Sequence, residues 1–108
     1  MNQEDFNKLL EERIERTRLT LNAKAVEYAS GYDRLYSFKE GGRKLNVTPE
    51  KALQGMKIKH DVSVDDLIRL AGECPDKLTE EIINEKIGDS INYLILLEAL
   101  LKERIKKD

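Results

Sequence analysis

Apolar residues recur along this chain at three- and four-residue spacing, which is the signature of amphipathic helices rather than strands. Phe6, Leu9, Leu10, Ile14, Leu21 and Tyr28 form one such stripe and predict a first helix from about Asp5 to Tyr28, with Gly31 as its left-handed cap. Arg13, Thr17 and Lys24 fall inside that stripe, where long stems can cover a core while their heads reach water. Asp33 is positioned to cap a shorter second helix carrying Leu35, Phe38, Gly42 and Leu45 on one face. Within it, Gly41-Gly42 costs roughly 1 kcal/mol per glycine relative to alanine, which implies a kink or a close backbone approach. Thr48-Pro49-Glu50 combines a capping hydroxyl, proline at the first helical position and an acid. It starts a third helix running to about Ala71, with Ala52, Leu53, Met56, His60, Ser63, Leu67 and Leu70 inward. Gly72, Pro75 and Asp76 break the chain, and Thr79 caps a last helix that runs to near Lys106.

That last helix carries two apolar stripes. Ile83, Ile87, Leu94, Leu101 and Ile105 make one; Ile82, Tyr93, Leu96 and Leu100 make the other. From Tyr93 to Leu101 it is apolar nearly all round, so it belongs at the centre of the fold or at a subunit interface. The pattern predicts an all-α fold: a single domain over 1–108, a four-helix antiparallel bundle with one short helix, the first and last helices longest. Because a chain of this length has a limited core, the surplus of apolar surface predicts a homo-oligomer, a dimer or a tetramer.

Composition narrows the classes. Of 108 residues, 40% are hydrophobic and 37% charged, enough for one core under a heavily solvated surface. Lys and Arg total 19 against 21 Asp and Glu, so no bulk positive field recruits nucleic acid. One cysteine, Cys74, and one histidine, His60, leave no internal disulfide and no zinc finger. The opening MNQEDFNKLL lacks the apolar core of a signal peptide, and no apolar run reaches membrane length, so the expectation is a cytoplasmic protein without membrane association. No Ser-His-Asp order, nucleophile elbow or Cys-His pair can be assembled, which disfavours acyl-enzyme hydrolysis.

Polar residues on the inward stripes are the candidate chemistry. Glu85 and Asp89 stack one turn apart on the last helix, with Asn92 a turn further, on the side shared with Ile82, Leu96 and Leu100. Partly buried carboxylates need a divalent metal or basic partners to offset their desolvation. A plain solvated pair beside Lys86 is the structural alternative. His60 on the third helix is either a hydrogen-bonded core histidine or a participant in proton transfer. Glu27, at the edge of the first stripe, is a possible third acid. Tyr28, Tyr32, Tyr36 and Phe38 gather around the first loop, where aromatics cap a core or stack a base.

Three motifs carry a resemblance. Lys24-x-x-Glu27-Tyr28-Ala29 with Asp33-x-Leu35-x-x-Phe38-Lys39 comes first. Thr48-Pro49-Glu50-x-Ala52-Leu53-x-Gly55-Met56-x-x-Lys59-His60-x-x-Ser63-x-x-Asp66 follows, then Glu85-Lys86-x-x-Asp89-x-x-Asn92-Tyr93-x-x-Leu96-Leu97. In this order they resemble the nucleotide-modification-associated domain 1 family of small phage and prophage proteins, over nearly the whole chain. A looser likeness runs to the MazG-like all-α nucleoside triphosphate pyrophosphohydrolases, helical oligomers in which acids on two helices bind Mg²⁺ beside a triphosphate. This chain departs from their E-x-x-E and E-x-x-D spacing: Glu27 has no acid three residues away, and Glu85 and Asp89 are four apart.

The resemblance implies a nucleotide or nucleotide-derived small molecule as partner. In the enzyme reading, Glu85 and Asp89 with Glu27 hold Mg²⁺ for pyrophosphate-bond cleavage, and His60 assists proton transfer. Arg13, Lys24, Arg34, Lys39 and Lys59 meet phosphates, Tyr28 and Phe38 offer ring faces, and Asn92 hydrogen-bonds the ligand. In the binding reading the same residues sequester a signalling nucleotide, as an anti-defence protein requires, without metal or turnover. A third reading makes the chain a helical interaction module whose Tyr93–Leu101 stretch is the interface. The expected site gathers Arg13, Lys24, Glu27, Lys59, His60, Glu85 and Asp89 around one pocket, where opposite charges offset each other's desolvation.

Overall fold

Both threonine caps form as the sequence predicts. In the computed structural model, which describes residues 1–27 and 33–106 (the side chains of 24–27 excepted), Thr48 Oγ1 accepts from the Lys51 amide at 3.1 Å. Thr79 Oγ1 accepts from the Ile82 amide at 3.2 Å. Each satisfies one of the amides that a helix start leaves without a partner. The described residues form four α-helices, α1 Gln3–Glu27, α2 Tyr36–Leu45, α3 Pro49–Glu73 and α4 Glu80–Ile105, with a 3₁₀ turn at Pro75–Lys77. The described residues contain no strand, so the fold class is all-α.

The boundaries differ from expectation for local reasons. α1 starts two residues early because Asn2 Oδ1 accepts from the Asp5 amide at 2.8 Å. Its predicted end at Tyr28 and the Gly31 cap lie outside the described residues. α2 is not capped by Asp33; Leu35 holds the N-cap position, with no side-chain cap bond. Leu45, expected inward, is 68% exposed at the end of α2, where Asn46 takes the left-handed conformation at φ 57° and turns the chain. α3 continues through Gly72 to Glu73, and its 25 residues equal those of α1. The first and last helices are therefore not the only long ones.

The chain divides into two units, Met1–Arg34 and Leu35–Asp108. The first contains α1, which carries Glu12–Arg16 and Glu15–Arg18 ion pairs on its surface. In the second, α3 and α4 run antiparallel: Glu50 near the start of α3 meets Arg104 near the end of α4, while His60 meets Asp89 further along. α2 closes one end of that pair. Its Gly42 sits where an added Cβ would come within 2.8 Å of the Val47 carbonyl oxygen, so the implied close approach is by the chain entering α3.

The core of the second unit is a cluster of Leu35, Phe38, Leu53 and Leu100, with Tyr93, Leu96 and Leu97 packed against it. Leu53 is fully buried. Thus α4 turns its Tyr93–Leu96–Leu100 stripe to α2 and α3. The other stripe remains on the surface, with Leu94 52% and Leu101 49% exposed, so burial all round does not occur within this unit. No helix among the described residues is long and apolar enough to cross a membrane.

Candidate functional site

Where α3 and α4 cross, polar side chains replace the aliphatic contacts of the core. His60 projects from the inner face of α3, and Nδ1 lies 3.6 Å from Asp89 Oδ2 on α4. That separation is an ion-pair contact when the imidazole is protonated and too long for a direct hydrogen bond. The histidine side chain is 16% exposed and the aspartate 35%, so solvent reaches the pair from the carboxylate side. One turn along α4, the Tyr93 ring stands 4.9 Å from the imidazole, tilted by 34°. Phe38 of α2 meets Tyr93 edge-on at 6.3 Å. Ser90 Oγ donates to the His60 carbonyl at 3.5 Å, tying the two helices at the same level.

Beside this group an open cleft of about 500 Å³ is lined by Gly55, Met56, Ile58, Lys59 and Tyr93. A Cβ at Gly55 would meet nothing within 4 Å, so the glycine keeps the cleft wall low and has no packing partner there. Lys59 is exposed at this cleft. Asn92, on the same helix as Asp89, is 7% exposed, and its Oδ1 is buried with no hydrogen-bond partner. An unpaired buried carbonyl oxygen costs about 1–3 kcal/mol.

Of the residues that the sequence singled out, this geometry brings together His60 and Asp89, with Lys59 in the adjoining cleft. Glu85, expected inward beside Asp89, is exposed. The two acids are one turn apart along the helix: Asp89 lies level with His60 of α3, whereas Glu85, nearer the start of α4, lies beyond that contact and is exposed. Phe38 is a core residue at 6% exposure, packed among Leu35, Leu53 and Leu100. Lys39 pairs with Glu103 near the end of α4. Arg13 and Arg34 belong to the first unit; burial, and secondarily Arg16, hold the Arg13 guanidinium below its usual range. Lys24, Glu27 and Tyr28 lie outside the described side chains. Among the described residues no three His, Cys, Asp or Glu side chains gather as a ligand set.

Two participants escaped the sequence reading. Tyr93 was assigned to an apolar stripe, and Ser90 to none. Their signal was spacing: Tyr93 is one turn from Asp89 and so must share its face. Comparison of the chain with family models, curated proteins and solved structures finds no match.

Proposed function

We propose that the seam of α3 and α4 binds a nucleotide-type ligand, an aromatic base carrying phosphate. The observation that carries this reading is the solvent-reached His60–Asp89 pair beneath the Tyr93 ring, next to the Lys59 cleft. Each part matches one part of such a ligand. Tyr93 lines the cleft and offers an aromatic surface for a base, a contact of about 1–3 kcal/mol. Lys59 supplies a mobile positive charge for phosphate, and His60 adds a second when protonated against Asp89. Asp89, partly exposed, offers a carboxylate oxygen that can accept from a sugar hydroxyl. The proposal is binding, with no step of turnover and no Mg²⁺ site assigned.

A thermal-shift screen of nucleotides and cyclic dinucleotides, with and without Mg²⁺, tests it. A ligand at a hundredfold excess over its dissociation constant stabilises the fold by about 2.7 kcal/mol, a shift of many degrees for a domain of this size. Stabilisation that is independent of Mg²⁺ and constant in time supports sequestration. Stabilisation that needs Mg²⁺ and fades as product accumulates supports the pyrophosphohydrolase instead. Lys59→Ala should weaken binding about tenfold, and Asp89→Asn only modestly; an enzyme would lose turnover by orders of magnitude with Asp89→Asn. A screen with no shift for any nucleotide overturns the reading and leaves His60–Asp89 as a structural pair.

A further inference from the structure

The cleft beside Tyr93 has a direction, and α3 sets it. Gly55, Lys59 and Ser63 follow one another at four-residue spacing, so they stack on one face of that helix. From Gly55 to Ser63 the line rises about 12 Å. Gly55 is the least expected of the three. A glycine within a helix costs about 1 kcal/mol relative to alanine. No packing demand explains it here, because an added Cβ would meet nothing within 4 Å. The missing side chain leaves bare helix backbone on the cleft wall, which Tyr93 also lines. A flat ring can lie there at van der Waals distance.

The other end of the line is polar. Lys59 is exposed and Ser63 half-buried, and neither side chain is engaged in a hydrogen bond or ion pair among the described residues. Their neighbours differ: Lys57 is paired with Asp61, and Ser90 donates to the His60 carbonyl. An ammonium and a hydroxyl one turn apart can donate to the same phosphate group. The surrounding charge limits how much phosphate they hold. Within a turn of the His60–Asp89 contact, over residues 56–64 and 85–93, Lys57, Lys59 and Lys86 stand against Asp61, Glu85 and Asp89. With His60 neutral, that stretch carries no net charge. Beyond Ser63 the next charges on α3 are acidic, Asp65 and Asp66, and Asp66 is already met by Arg69. A triphosphate would bring several negative charges to a stretch with no positive surplus, and along this line its distal groups would run toward those acids. A single phosphate needs only Lys59 and Ser63.

We propose that the seam takes a nucleotide bearing one phosphate, laid along α3 with its ring over Gly55 and its phosphate between Lys59 and Ser63. The inference rests on the ligand reading above and adds the class and direction of the ligand. Calorimetric titration of the full chain without Mg²⁺ tests it, with nucleosides, nucleoside monophosphates, cyclic monophosphates and triphosphates as probes. A one-phosphate form should bind at least about tenfold tighter than both the nucleoside and the triphosphate. The two one-phosphate arms tell a monoester from a diester. Ser63→Ala should weaken that form about tenfold and close most of its gap to the nucleoside. Gly55→Ala should raise the melting temperature yet weaken nucleoside and nucleotide alike. Gly72→Ala, where an added Cβ also meets nothing within 4 Å, should leave binding unchanged. A triphosphate that binds as tightly as the one-phosphate forms overturns the proposal while the ligand reading stands. So does a Ser63→Ala or Gly55→Ala chain that binds like the parent, or an equal loss at both glycines. A parent chain that binds none of the probes overturns the ligand reading and this placement together.

Discussion

At the scale of single residues, the ion pair with the best geometry joins the start of α3 to the end of α4. Arg104 Nε donates to Glu50 Oε2 at 2.7 Å and Nη2 to Oε1 at 2.8 Å, a two-pronged contact. The Arg104 bond is the main reason the Glu50 carboxyl is held below its ordinary value, against the opposing effect of burial. A depressed folded-state value means that Glu50 contributes stability above its unfolded value, and that this is lost as pH falls through the folded one. Arg104 is half-exposed, so solvent screens the pair and the effect is modest. Thermal melts of Glu50→Gln should lie about 2–4 °C below the parent at pH 7, and the two curves should converge as pH falls through and below the ordinary carboxylate range. A gap that stays constant as the carboxylate protonates would show that the loss comes from packing rather than from charge. No sequence signal pointed to this pair. Its members are 54 positions apart, and only the antiparallel register of two helices makes them neighbours.

At the scale of elements, the α2–α3 corner depends on one glycine of an adjacent pair. At Gly42 an added Cβ would meet backbone on three sides: the Val47 oxygen at 2.8 Å, the Pro49 nitrogen at 3.0 Å and the Thr48 carbonyl carbon at 3.1 Å. Those atoms are fixed by the left-handed turn at Asn46 and by the proline that opens α3, so they cannot yield cheaply. Gly41, one residue earlier, would meet the Met56 methyl at 3.1 Å, the end of a flexible side chain. Gly42→Ala should therefore destabilise by about 1–3 kcal/mol. Gly41→Ala should be neutral or stabilising by up to about 1 kcal/mol, through helix propensity. Urea titration of both variants separates these outcomes, and equal loss at both would refute the backbone-approach account. The sequence showed that the pair was costly but not which member was needed. Helix starts were legible for the converse reason: Thr48 and Thr79 act on amides three residues away, so their roles are written locally. The rotation of α4 was not legible. With apolar residues nearly all round, either stripe could face the core, and only packing by Phe38 and Leu53 decides which stripe turns inward and carries Asp89 to His60.

At the scale of the whole molecule, stability rests on a small buried core beside a larger exposed apolar surface. Six hydrophobic residues are buried among those described, whereas Leu94, Leu101 and Ile105 on α4 alone expose about half their surface or more. One cluster holds α2, α3 and α4 together, and Leu53 is its fully buried member. Leu53→Ala should cost about 2–5 kcal/mol, a large fraction of the total for so small a core, and lower the melting temperature at every protein concentration. Leu94→Glu, at an exposed position on the outer face of α4, should leave the melt within about 0.5 kcal/mol of the parent. Calorimetry of the two variants separates a side chain that the core requires from one that it does not, and a loss at Leu94→Glu as large as at Leu53→Ala would show that the outer face of α4 is covered in the folded molecule.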